Sequence, residues 1–220
     1  MAGEMTERPR TGAGESRLLR DFRRKHERRR RLLPRALLVG VAAGTLASLF
    51  RFLLERIEDL RRAAVTGLHG EAGAAWLGPV LFATAGALLT GSAVWLTRRF
   101  APEASGSGIP HLKAVLHRLR PMRWQRILPV KFAGGLAGIG AGLALGREGP
   151  TVQMGAALGR MISRWLPGSP HERQVLITAG AGAGLAAAFN APLAGVVFVL
   201  EEVQRQFAPG VLSSAFVASV

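Results

Sequence analysis

Gly146-Arg147-Glu148-Gly149-Pro150 decides the reading of this chain. On one side lies the apolar, glycine-rich run Phe132–Leu145. On the other is a segment predicted to be a helix, Pro150 to Trp165. Phe132 to Gly146 carries no charge, and none follows Glu148 until Arg160. In apolar surroundings an ionised side chain costs about 2.5–3.5 kcal/mol even on the milder insertion scale. Residues that costly line water-filled or ion-filled paths, which makes Glu148 the leading functional candidate.

Outward from that motif the chain is built of long uncharged stretches: Ala36–Phe50, Ala72–Thr97, Phe132–Gly146, Gln174–Leu200 and Gln206–Val220. About 20 apolar residues cross a bilayer core. Ala72–Thr97 is long enough by itself. The other stretches are short, rich in glycine or, like Gln174–Leu200, broken by Asn190 and Pro192. The fold class expected is all-α: a polytopic membrane protein with short, tilted and broken helices. The mean hydropathy of +0.22 is modest because a polar, basic N-terminal region is averaged with these stretches.

That region holds much of the net charge of +15, with Arg23-Arg24-Lys25 and Arg28 to Arg31. A basic block before a first membrane segment fits a cytoplasmic N-terminus and contact with anionic lipid. Nucleic acid is not the expected partner, because the excess is confined to one tail and no binding motif supports it. Residues 1–34 are therefore expected to be a basic cytoplasmic tail, with Ser16–Leu33 a helix lying on the membrane surface or, alternatively, a disordered basic segment, and Met1–Gly14 disordered. Residues 35–220 are expected to form the membrane domain. Its first span starts at Pro34 and runs from Arg35 to Ile57. A charge-mixed loop follows over Glu55–Glu71, then a second span, Ala74–Trp95. No cysteine is present, which excludes disulfides and thiol chemistry. Five scattered histidines make no metal cluster, no cofactor is called for, and no nucleophile–base pair points to an enzyme.

Two loop-to-helix motifs carry the chemistry. Gly106-Ser107-Gly108-Ile109-Pro110 precedes a helix too short to span, His111–Leu119. Glycines expose backbone N–H groups and permit positive φ. Proline suits the first helical turn, whose unpaired N–H groups carry partial positive charge. Ser107 adds a hydroxyl. A partly dehydrated chloride needs neutral donors of this kind, because a full positive charge would hold it too tightly to release. An ordinary serine cap with glycine turns is the plain alternative. Gly146–Pro150 repeats the pattern. Glu148 there acts as a tethered anion: charged, it occupies the anion's place; protonated, it swings away. Here too a simple N-terminal carboxylate is the plain alternative. The chloride-binding candidates are Ser107 with Gly106, Gly108 and Ile109, and Gly146, Arg147 and Gly149. Glu201-Glu202 ends the apolar helix Leu193–Leu200. It reads as a proton entry point or as a surface acid pair near Arg205.

Gly106–Pro110, Gly146–Pro150 followed by Thr151-Val152-Gln153, and Ala187–Gly195 (AAFNAPLAG) occur together in this order. In this the chain resembles the CLC family of chloride channels and proton/chloride exchangers over Ala36–Val220. The resemblance implies two inverted-topology repeats, of which this chain is the first, and a homodimer with one ion path per subunit. It implies Ser107 as the side-chain ligand of chloride, Glu148 as the gating and outer proton glutamate, and Glu202 as the inner proton glutamate. An acid at Glu202 favours an exchanger of chloride and protons. The alternatives are a passive voltage-gated chloride channel of the same fold and a fragment inactive by itself. A bacterial inner membrane is the expected location. Two departures stand out. The chain has no tyrosine and stops at Val220, so it lacks the second-half loop and tyrosine that complete the family's ion site. His111, Lys113 and His117 stand where several bacterial exchangers carry acids.

Overall fold

The structure, a computed structural model, describes residues 11–68, 77–204 and 209–220, with side chains for 31–67, 78–203 and 211–220. Among the described residues there are eight α-helices and no strand. They are α1 (Thr11–Leu68), α2 (Leu77–Phe100), α3 (Ile109–Leu116), α4 (Trp124–Gly140), α5 (Glu148–Trp165), α6 (Pro170–Phe189), α7 (Pro192–Phe198) and α8 (Pro209–Ser219). A 3-10 turn, Pro102–Ala104, precedes α3, and a π-helical turn, Val199–Gln204, follows α7.

The α5/α6 seam is the centre of the molecule, and small residues make it possible. A Cβ on Gly155 would lie 2.1 Å from the Gly180 carbonyl oxygen, and one on Gly180 equally close to that of Gly155. Backbones this close gain dispersion contacts along the whole pair, which is how membrane helices associate where lipid removes the hydrophobic drive. Val175 to Leu185 of α6 is buried throughout. The ends of α6 are set by sequence. Ser169 and Glu172 form a capping box with Pro170 in the first turn, and Asn190 ends the helix in the left-handed region at φ 53°. Arg35 of α1 reaches Glu172 at 3.4 Å, tying the two helices at this end.

Around this pair, α1 buries a stripe of Leu32, Ala36, Val39, Ala43, Ala47, Phe50 and Leu54 at helical spacing. Its other face is apolar too: Leu37, Leu38, Val41, Leu49 and Phe52 are exposed. A helix apolar all round, yet half uncovered by protein, is suited to lipid. Arg31–Gly67 and Gly78–Phe100 are long and apolar enough to cross a membrane.

Three sequence expectations change. Pro34 does not start a helix; α1 runs through it as one element of 58 residues. Glu55–Leu68, expected as loop, continues the same helix, where Arg51–Glu55 and Glu58–Arg62 pairs at i,i+4 stabilise successive turns. Thr11–Gly14, expected to be disordered, also lies in α1, whereas Met1–Arg10, Glu71 and Trp76 lie outside the described residues. In addition, α5 begins at Glu148, two residues before Pro150, so Glu148 is its first helical residue.

Candidate anion site

The Ser107 loop and the Glu148 loop meet. A Cβ on Gly149 would lie 2.8 Å from the Ser107 carbonyl oxygen and 2.9 Å from its Cα. Only a residue without a side chain permits that approach. Both loops border one cavity of about 670 Å³, lined on this side by Gly106, Ser107, Gly146, Glu148 and Gly149. Its other walls come from Thr90, Val94 and Thr97 of α2 and from Gly134 and Gly138 of α4.

The loop before α3 is shaped by backbone conformation. Gly106 and Gly108 take φ of 67° and 80°, in the left-handed region that glycine enters at little cost. Gly108 caps α3 and Arg147 caps α5, and neither supplies a side-chain cap. Each helix therefore presents first-turn N–H groups without a side-chain acceptor, together with the positive end of its dipole. The first residues of α5 line the cavity, and the loop leading into α3 borders it through Gly106 and Ser107. The Glu148 carboxylate folds back over Gly146, where an added Cβ would meet its Oε2. Among the described residues no cation pairs with it.

Two residues behind the first loop had no role in the sequence reading. Lys131 of α4 is only 7% exposed. Its Nζ donates to the carbonyl oxygens of Ala104 (2.8 Å) and Gly106 (2.5 Å) and borders the cavity. By holding those carbonyls it fixes the loop's orientation. Gln153 of α5 is fully buried against Gly108, and its Nε2 donates to the Glu103 carbonyl at 2.8 Å. A lone lysine in an apolar run was a legible signal, since such a charge persists only with partners; the signal for Gln153 was its place in the motif after Pro150.

The remaining candidates lie elsewhere. Gly108, Ile109 and Arg147 flank the cavity in sequence but do not line it; Gly108 is buried and Arg147 exposed. Glu202 sits on the π-helical turn, exposed and outside the cavity. Lys113 of α3 donates to its Oε1 at 2.5 Å. The helix that begins at Ser107's loop is thus tied, through its own lysine, to the acidic turn. Arg205 lies outside the described residues, so the expected pairing near it is not described.

Residues 86–220 match the family described as voltage gated chloride channel. The chain belongs to that family. It is 44% identical over 183 residues to the H(+)/Cl(-) exchange transporter ClcA of Vibrio parahaemolyticus, covering 83% of this chain and 38% of that protein. It is 43% identical over 201 residues to the same-named transporter of Salmonella paratyphi B, covering 86% of this chain and 42% of that one. The crystal structure of a slow cyanobacterial Cl−/H+ antiporter superposes with a TM-score of 0.78 at 38% identity, over 86% of this chain and 45% of that chain. A eukaryotic CLC transporter superposes with a TM-score of 0.73 at 26% identity, over 86% of this chain and 37% of the other. The voltage gated chloride channel fold is therefore present here, and the chain spans about two fifths of the curated relatives it matches.

Proposed function

We propose that this chain forms one side of a chloride pathway and takes part in proton-coupled chloride exchange, with Glu148 as its movable gate. The observation that carries the reading is the contact between Gly149 and Ser107. It brings the Ser107 loop, which leads into α3, and Glu148 at the start of α5 to one cavity. Ser107 with Gly106 and Gly149 would hold chloride by neutral donors, while Gly108, Ile109, Gly146 and Arg147 shape the two loops. Deprotonated Glu148 competes with chloride for those donors; protonated, it releases them. One residue thereby links proton binding to anion access. Glu202 would exchange protons with the opposite compartment. The exchanger names of the ClcA relatives support the same activity.

The reading extends to assembly and place. The protein would be a homodimer in a bacterial inner membrane, with residues 1–34 cytoplasmic and 35–220 in the membrane. The test uses liposomes holding the full-length protein that carries this chain. A chloride gradient should drive protons uphill, and Glu148→Gln should abolish that movement while chloride flux persists. Absence of proton movement in the unmutated protein would sink the exchanger reading. A passive chloride channel is the second reading, favoured by the description of the matching family as voltage gated chloride channel. A reversal potential indifferent to a pH gradient would select it. Anion flux by the 220 residues alone would refute a third outcome, a fragment inactive by itself.

A further inference from the structure

At the end of the molecule where Arg35 joins α1 to α6, a second cavity of about 310 Å³ opens between the start of α4 and the end of α5. Four arginines line it: Arg123, Arg126, Arg160 and Arg164. Arg160 is half-buried and the other three are exposed. Among the described residues none of the four forms an ion pair with a carboxylate. Arg164 and Arg173 both lie near enough to repel Arg160. Cations at the end of α5 have an ordinary reason, because the helix dipole favours positive charge there. Arg123 and Arg126 have the opposite setting. They stand at the cap and in the first turn of α4, where the dipole disfavours cations, and α4 has no side-chain cap. Like charges gathered against a helix N-terminus fit a bound anion that takes several guanidinium contacts at once.

The aromatic side chains beside the cavity point to the anion's carrier. Trp124 also lines it and meets Trp165 edge-on, with ring centroids 6.5 Å apart. Trp165 is 65% exposed. Exposed tryptophans at the ends of membrane helices mark the headgroup layer. Guanidinium groups match phosphate by forked hydrogen bonds, and basic pockets between membrane helices take anionic lipid headgroups.

We propose that this cavity is a phosphate-group site occupied by the headgroup of an anionic phospholipid. The site is separate from the chloride cavity and does not depend on its reading.

The test titrates the purified chain in detergent with short-chain phosphatidylglycerol, short-chain phosphatidylcholine and inorganic phosphate, counting bound molecules by native mass spectrometry. Phosphatidylglycerol should bind roughly tenfold tighter than phosphatidylcholine. Arg160→Gln with Arg164→Gln should remove that preference. Arg126→Gln with Arg164→Gln alters exposed residues only and should do the same if the first pair fails to fold. Arg28→Gln with Arg29→Gln, in the basic N-terminal region, should keep it. Saturation by the lipid but not by inorganic phosphate assigns the headgroup. Equal binding of inorganic phosphate keeps the phosphate site but overturns the lipid as its occupant. No preference in the unmutated chain, or equal loss in the Arg28/Arg29 control, overturns the site.

Discussion

Glu148 and Glu202 have the same side chain and opposite settings. Glu148 opens a buried helix at the edge of a cavity, beside the loop that leads into α3, and among the described residues no cation pairs with it. Glu202 lies exposed on a widened turn, held by Lys113. A carboxylate beside uncapped N–H groups can trade places with a free anion. A carboxylate paired with a lysine near the surface is held in position by that pair. The difference shows that what an acidic residue does in this fold depends on the donors around it.

The contrast is broken most completely by separating the loops. Gly149→Val puts side-chain atoms where the Ser107 backbone lies. Overpacking of this kind costs about 1–3 kcal/mol, and here the damage falls on the site itself. Thermal melting should drop, and chloride flux should fall much further than the melting shift explains. Flux that survives in a folded Gly149→Val variant would show that loop contact is dispensable.

The next test compares the two acids directly. Removing a positioned proton carrier commonly costs about 10²–10⁴-fold in proton transfer. Glu148→Gln and Glu202→Gln should each reduce proton flux on that scale. Only Glu148→Gln should also alter the dependence of chloride flux on external pH, because only that side chain borders the anion cavity.

Lys131→Met sharpens the comparison from behind the loop. It leaves the Ala104 and Gly106 carbonyls without their donor, a loss of about 1–3 kcal/mol for an unsatisfied buried group. Chloride affinity measured by calorimetry should weaken along with stability. Lys113→Met should have the smallest effect. An exposed pair contributes about 0–1 kcal/mol, so melting should barely move, while the ratio of protons to chloride carried should change because Lys113 positions the Glu202 carboxylate. An unchanged ratio would mean that Lys113 does not restrain the acid.

Much of the helical layout was legible because its punctuation is local. Pro110, Pro170, Asn190 and Pro192 act through φ restriction, missing N–H donors or tolerance of the left-handed region. The breaks they mark appear within a residue or two. Pro34 misled because proline disfavours helix interiors without forbidding them. Glu55–Leu68 misled because mixed charge reads as loop until i,i+4 pairing is considered. In the site, the two glycine motifs were readable as loops aimed at an anion. Lys131 and Lys113 were visible as odd charges whose partners could not be read, since those partners lie 25 and 89 residues away in the chain.

The sequence by itself determined the uncharged helices, most of their breaks, the two glycine-flanked loops and the placement of Glu148 close to a helix start, because periodicity, proline geometry and charge cost act over a few residues. Only the tertiary structure decided that Gly149 rests on Ser107, that Glu202 answers to Lys113 and that four arginines share one pocket. Those relations are set by how closely whole helices and loops approach, between residues far apart in the chain.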